Sequence, residues 1–487
     1  MSYRKIFIFM SIMLSVMAIL NQLLLQGDTL VLILILAFSA LGWYDVLQQK
    51  NAVLREYPIF GHLRYILLDI APILHDYFVE SNTGGRPFSK NTIKLVYARA
   101  ENKPGYHPLG TERDFYKEGL EWIGHSMFSK GEFEDQPRVL VGGPECTRPY
   151  SASILNISAM SFGALSKTAI QSLNKGAALG GFSHNTGEGG LTPYHMEGGD
   201  VVLQVGTANF GFRYPDGRLD EEAFRKKSKL DSIKMIEIKL SQGAKPGHGG
   251  VLPAAKNTPE IAKIRMVEPH TDVLSPPFNP SFPTEEKLVE FIGILRDLSG
   301  GKPIGIKLCI GQPSEFESLL DRFIEKEIYP DFITVDAAEG GTGAAPLDYS
   351  NHIGMRGDDA LKFVNGALIK KGIRDRIKII YAGKVVSGFN MFKAFCYGAD
   401  LCNSARGFML SLGCIQSLKC HTDRCPTGVA TQNHELAKGI VPNFKSHQVR
   451  NFHDNTIADF IDIAETAGVT SFDQFNPELV HVVEPTT

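Results

Sequence analysis

From Ile6 to Leu25 the chain is an almost unbroken apolar run. The polar turn Gln26-Gly27-Asp28 separates it from a second run, Thr29 to Tyr44, which ends in the Trp43-Tyr44 pair. A helix of about 20 apolar residues crosses the roughly 30 Å hydrocarbon core of a bilayer, so the first run is long enough and the second slightly short. Together they predict a membrane hairpin over residues 1–48. Arg4 and Lys5 precede it, Lys50 and Arg55 follow it, and its turn carries no cation. The excess of cations on that side places both ends, and the rest of the chain, in the cytoplasm at the cell membrane. A cleaved signal peptide is the competing reading, with Ala37-Phe38-Ser39 as a small-residue site, but two successive runs exceed a normal signal h-region.

Residues 49–140 mix aromatic, apolar and charged positions and form a linker or cap. Within them, Ile59, Leu63, Ile66, Leu67 and Ile70 give Tyr57–Phe78 the apolar spacing of a helix, placed against the membrane or over the body of the protein. From about residue 150 the pattern becomes regular. Short apolar runs at 154–158, 182–185, 201–205, 235–240, 304–308, 332–336, 377–381 and 401–404 alternate with helical stretches at 166–179, 285–298, 314–326 and 358–371. Eight strands with intervening helices predict an α/β fold, a TIM (β/α)8 barrel over 141–440. No strand is followed by G-x-G-x-x-G with an acidic residue about 20 positions on, which argues against a doubly wound sheet and a built-in nicotinamide site. The remaining 441–487 read as a helical tail, with Ile457, Phe460, Ile461 and Ile463 packing a 456–465 helix on the barrel.

A net charge of −3, from 50 Lys and Arg against 53 Asp and Glu with both signs interspersed, gives no footprint for nucleic acid. Of seven cysteines, Cys309, Cys396 and Cys402 lie in apolar runs that read as core. That distribution fits a reducing compartment. Cys414, Cys420 and Cys425 instead stand as C-x5-C-x4-C on a turn-rich segment. Three such thiolates can converge on soft iron, and three ligands suit a three-iron (3Fe-4S) cluster. A metal-free loop and a zinc site with His421 as fourth ligand are the alternatives.

The run from Gly413 to Gln432 resembles the cluster loop of glutamate synthases. Ser158-Ala-Met-Ser-Phe-Gly163, Asn185-Thr-Gly-Glu-Gly-Gly190, Gly243-Ala-Lys-Pro-Gly-His-Gly-Gly250 and Gly340-Gly-Thr-Gly-Ala344 resemble that family's flavin-domain motifs, in the family's order. The resemblance implies an FMN-dependent oxidoreductase acting on CH–NH2 donors. Reduced flavin would deliver hydride to a 2-iminoglutarate-like carbon, with electrons entering through the cluster from an external carrier or donor protein. Full glutamate synthases begin with an amidotransferase whose nucleophile is an N-terminal cysteine, whereas the first cysteine here is Cys146. Nitrogen would therefore come from free ammonia or a separate amidotransferase. The other direction of flow, a membrane-anchored dehydrogenase oxidising an amino or hydroxy acid, stays open beside it.

In a TIM barrel the active face is the C-terminal end of the strands, and phosphate sits at the loops after strands seven and eight. Gly383, Lys384, Ser404, Arg406 and Gly407 occupy those turns, so they are expected to hold the FMN phosphate; ordinary glycine turns are the alternative. The resemblance adds Ser161 and Gly163 as flavin contacts. Glu188, set among glycines, is expected on the substrate side, unless it is a solvated loop residue. Alternation along the fourth and fifth strands turns Glu237, Lys239 and Lys307 to one face. If that face is the barrel interior, these charges are paired or used. Lys307 is expected beside the flavin N1/O2 edge. Lys239 and Lys245 are expected to hold the carboxylates of a 2-oxo acid or amino acid, with Thr342 nearby. A structural Glu237–Lys239 ion pair is the alternative for that strand.

Overall fold

The computed structural model describes residues 2–128 and 130–484. The chain divides into two compact units, Met1–Lys90 and Asn91–Thr487.

In the first unit, helices α1 (Tyr3–Leu25) and α2 (Thr29–Leu47) form the expected hairpin. Left-handed Gln26 ends α1, and the Asp28 carboxylate caps α2 by accepting from Leu30 N at 2.8 Å. The Ser15 and Ser39 hydroxyls meet at 3.1 Å between the helices, and Gly42 lets the Phe7 ring lie against the α2 backbone. Both helices are long and apolar enough to cross a membrane, by length and composition. Near the end of α2, Asp45 is fully buried and accepts from Ile59 N at 2.9 Å and His62 Nε2 at 3.0 Å. These bonds pin the entry to the helix Phe60–Leu74, although Ile59 takes a positive φ of 66° that a β-branched residue disfavours. That helix carries the predicted apolar stripe, with Leu63, Ile66, Leu67 and Ile70 exposed within the unit.

The second unit is built on a closed barrel of eight parallel strands: β1 (Leu155–Ile157), β2 (Ser183–Asn185), β3 (Asp200–Val205), β4 (Ile233–Lys239), β5 (Ile304–Leu308), β6 (Phe332–Asp336), β7 (Lys378–Ala382) and β8 (Leu401–Ser404). All eight predicted strands are present to within two residues at each end. Each pairs with the next, and β8 closes on β1 with Asn403 opposite Asn156. Register places Glu237 opposite Gln204, and Lys307 opposite both Lys239 and Thr334. With a period of two, Ile236 and Ile238 then face the helices while Glu237 and Lys239 face inward.

The opposite end is plugged by a hairpin, Arg138–Val141 with Tyr150–Ser153, which the sequence pattern did not disclose. Val141, Tyr150 and Ala152 meet Val202, Met235, Phe332, Ile380 and Leu401 from five strands in one apolar cluster. Burying a side chain such as Phe332 contributes about 1.5–3 kcal/mol. This floor leaves the C-terminal mouth as the open end.

The tail helix is much longer than its apolar stripe implied, running Pro442–Ala467. It crosses the helix Lys167–Gly180 so closely that a Cβ on Gly176 would stand 2.4 Å from Val449 Cγ1. Residues 475–482 are clasped by stacked rings, Phe460 on Phe475 at 5.5 Å, and by pairing of Val480–Val482 with Glu121–Ile123. The helix Lys90–Ala100 is tied to the same layer where Arg99 meets Asp459 at 2.6 Å.

Candidate functional site

Inside the barrel the fully buried carboxylate of Glu237 accepts three hydrogen bonds: from Asn185 Nδ2 at 2.8 Å, Gln204 Nε2 at 2.6 Å and Thr334 Oγ1 at 2.7 Å. Those donors come from β2, β3 and β6, so the charge is satisfied by neutral groups across the barrel. The alternative Glu237–Lys239 pair is not what the structure builds. One step toward the mouth, Lys239 Nζ meets Glu188 Oε1 at 3.0 Å, and Lys307 Nζ meets Asp336 Oδ2 at 3.3 Å.

Glu188 sits in the turn after β2, enclosed by backbone. A Cβ on Gly250 would lie 2.2 Å from Glu188 Oε1, and one on Gly206 would lie 2.5 Å from Glu188 Cβ. Only glycine permits that approach, so Glu188 is not a solvated loop residue. Ser275 Oγ stands 3.4 Å from its other oxygen. Burial pushes the carboxyl up, but Lys239, then Arg265 and Lys245, outweigh it and hold Glu188 below its ordinary value. Lys245 is buried and bonds Ala344 O at 2.8 Å; burial pulls its ammonium down to about 8 against the opposing pull of Glu188.

Arg265 was not singled out from sequence. It ends the short helix Pro259–Arg265 between β4 and β5, in a charged stretch that looks like a solvated face. In the fold it is buried, with its guanidinium 3.2 Å from Phe162 O and 3.5 Å from Ser161 Oγ, over the Phe210 ring. Burial lowers it to about 10, with Glu188 opposing. Only the tertiary fold brings it to Ser161 and Gly163; nothing local in the sequence signals it.

The turns after β7 and β8 lie where expected, but their glycines also have packing duties. Gly383 lies against the Tyr381 ring, and Gly407 between Ser404 Oγ and the Phe452 ring. Ser404 Oγ donates to Val385 O at 2.5 Å, tying the two turns together. Lys384 has a positive φ of 54°. Arg406 bonds Glu339 O at 3.0 Å, and its stem runs beneath Gly341. Thr342 is exposed at the rim, accepting from Gln242 Nε2 at 3.3 Å. The half-buried Arg406 guanidinium and the glycine backbone of these two turns fit a phosphate-bearing cofactor.

Every cysteine is free, and Cys309, Cys396 and Cys402 are buried as core. In the 414–425 loop burial raises Cys414 to about 11, and Cys420 and Cys425 add to that. Cys425 is different: burial raises it, but N–H groups of Ala430, Thr427 and Val429 and the Thr427 hydroxyl outweigh burial and set it below its ordinary value. Three thiols on one loop, all free of disulfides, have the donor chemistry of a soft metal cluster, although the three sulfurs do not all lie within 4.8 Å of one another. Tyr97 donates to Cys414 O at 2.6 Å.

The chain is a closed barrel of eight parallel strands whose mouth carries inward-facing cations, with the cysteine loop following the last strand. Residues 132–470 match the profile of the conserved region in glutamate synthase. The chain is 35% identical over 491 residues to the glutamate synthase large subunit-like protein YerD of Bacillus subtilis (strain 168), covering 92% of this chain and 93% of that one. It is 30% identical over 328 residues to an archaeal-type glutamate synthase (NADPH) of Dehalococcoides mccartyi, covering 67% of this chain and 62% of that protein. The chain belongs to the glutamate synthase family, among the oxidoreductases acting on CH–NH2 donors. Among solved structures, mandelate oxidase with (S)-4-hydroxymandelic acid superposes with a TM-score of 0.47 at 13% identity, over 87% of this chain and 99% of the other.

Proposed function

We propose that the chain is an FMN-dependent, glutamate synthase-like oxidoreductase that reduces a 2-iminoglutarate-like intermediate to an amino acid. One observation carries this most: Glu188 lies among four buried cations, Lys239, Lys245, Arg265 and Lys307, and is in contact with only the first. Glu188 and Asp336 offset Lys239 and Lys307, so the excess positive charge at the mouth rests on Lys245 and Arg265 and suits a substrate that brings carboxylates. Lys239, Lys245 and Arg265 would bind and orient them. Glu188 Oε1 would accept hydrogen bonds from the substrate's nitrogen, sharing it with Lys239 Nζ. Lys307, kept charged by Asp336, would stand over the edge of the cofactor where negative charge collects.

FMN would supply hydride transfer, held by Ser161 and Gly163 at the first turn and by Gly383, Lys384, Ser404, Arg406 and Gly407 at the last two. Cys414, Cys420 and Cys425 would carry a 3Fe-4S cluster, fed by an external donor, while ammonia arrives from solution or from a separate amidotransferase. The N-terminal hairpin would anchor the protein in the cell membrane with the barrel in the cytoplasm, as its flanking cations favour.

Detergent-solubilised protein, reduced anaerobically, tests this directly. Reoxidation of its flavin by 2-oxoglutarate plus ammonium is expected, and folded protein without flavin would overturn it. The apolar pair of helices favours a second reading, a membrane-anchored dehydrogenase passing electrons outward to a carrier. Rapid bleaching by glutamate without reoxidation by 2-oxoglutarate and ammonium would select that direction.

A further inference from the structure

Lys256 lies in the insert between β4 and β5, in a single 3-10 turn, Ala254–Lys256, and no role in binding substrate or flavin falls to it. Its side chain is buried, and its ammonium reaches three backbone carbonyls: Ala164 O at 2.7 Å, Cys420 O at 3.3 Å and Ala430 O at 3.3 Å. The first belongs to the turn after β1, which carries Ser161 and Gly163. The other two flank the last ligand of the cysteine loop. An ammonium has three donors and no acceptor, so three carbonyls complete its shell and leave its charge unneutralised by direct contact.

The same junction has neutral ties. Gln432 Nε2 donates to Gly163 O at 3.1 Å and Leu165 O at 2.9 Å, and Ser166 N donates to Val429 O at 2.9 Å. Asp423 accepts from Gln432 N at 2.6 Å and from Thr431 Oγ1. These bonds already fix the two loops together. A buried lysine adds what they lack, a positive charge, at the cost of desolvating it.

We infer that Lys256 is a positioning residue that clamps the cysteine loop to the flavin turn and, through its positive charge, raises the reduction potential of the cluster carried there. The inference rests on the cluster reading above. A nearby cation favours the more negative, reduced form of a metal centre, as do the outer-shell charges and hydrogen bonds of other metal sites. An electron passed by an external donor to a cluster held by this loop would add negative charge there, and the Lys256 ammonium would stabilise that charge.

The test is a redox titration of the cluster in full-length protein, followed by its electron paramagnetic resonance signal with a dithionite-poised mediator series. Lys256→Gln keeps a donor and removes the charge. It is expected to shift the equilibrium about tenfold toward the oxidised cluster, about 59 mV for a one-electron couple. Lys256→Arg should remain within twofold of wild type. Gln432→Leu cuts a neutral tie and should leave the potential alone. A wild-type potential in Lys256→Gln overturns the inference. Should that variant hold no iron, Asp423→Asn decides, since its side-chain oxygen keeps both bonds: a shift toward the reduced cluster supports the charge effect, and no shift overturns it. Wild-type protein without iron would instead bring down the cluster reading itself, together with this inference.

Discussion

Lys239 and Glu188, from the end of β4 and the turn after β2, meet at 3.0 Å with side-chain exposures of only 7% and 16%. Removing one partner strands the other charge in a poorly solvated site, which costs about 3–5 kcal/mol, whereas replacing both with neutral groups costs far less. Glu188→Gln should therefore destabilise the protein strongly, and Glu188→Gln with Lys239→Met should recover much of the loss. Chemical denaturation of the two single variants and the double variant measures this coupling; additive losses would mean that the pair does not act as one. The sign with pH follows from the depressed Glu188 value. Its contribution is complete above the unfolded glutamate value of about 4.3 and is lost as pH falls through the lower folded value.

Lys245 makes a prediction in the opposite pH range. Its folded value near 8 lies below that of an unfolded lysine, about 10.4. Between those limits the unfolded chain binds the extra proton, so stability should rise with pH there, and Lys245→Met should remove that part of the rise. If Lys245 holds a substrate carboxylate, kcat/KM for a dicarboxylate should fall as pH increases through about 8, because that ratio reports the free enzyme. Lys245→Arg, which stays charged, should flatten the fall. An unaltered profile in the Arg variant would assign the inflection to another group.

The barrel was legible because its code is local. Alternation in Ile236-Glu237-Ile238-Lys239 gives both the strand and the inward face, and the glycine turns mark where strands end. Glu188 and Lys307 could be singled out because charge is unusual in such places. Their partners could not. That Lys239 takes Glu188 while Glu237 takes Asn185, Gln204 and Thr334 depends on the register of four strands. Arg265 and Lys256 sit in an insert whose polarity looks like a solvated surface, and burial alone distinguishes them. The hairpin at the floor was missed for a related reason: strands as short as Arg138–Val141 have too few positions for alternation to stand out.

Cys420→Ser should abolish iron binding while leaving flavin in place. The loop is held to the turn after β1 by Lys256, Gln432 and the Ser166–Val429 bond and to the helix Lys90–Ala100 by Tyr97, and none of these ties uses a cysteine side chain. Removing one thiol therefore leaves its backbone anchored. Iron and flavin contents of the purified variant, compared with wild type, check this. Equal loss of both would show that the loop depends on the cluster for its fold.

Lys307 gives the prediction closest to the chemistry. Burial works against its charge, but Asp336, Glu237 and Glu188 outweigh burial and hold the ammonium above its ordinary value. It is thus a permanent cation at the mouth, with Nζ 3.3 Å from Asp336 Oδ2. Lys307→Met removes that charge with little change in volume; stranding the Asp336 carboxylate lowers stability as it would for Glu188 and Lys239, but Asp336 retains the Gly243 N–H at 2.9 Å as a partner, so the barrel should still fold. Loss of one preorganised charge should slow anaerobic flavin reduction about 10- to 100-fold, about 1.4–2.7 kcal/mol of barrier. Rapid-mixing absorbance on flavin-loaded protein measures the rate, and circular dichroism confirms the fold. A folded, flavin-bound variant reduced at the wild-type rate would place Lys307 away from the edge where charge develops, and would leave its pairing with Asp336 as its whole function.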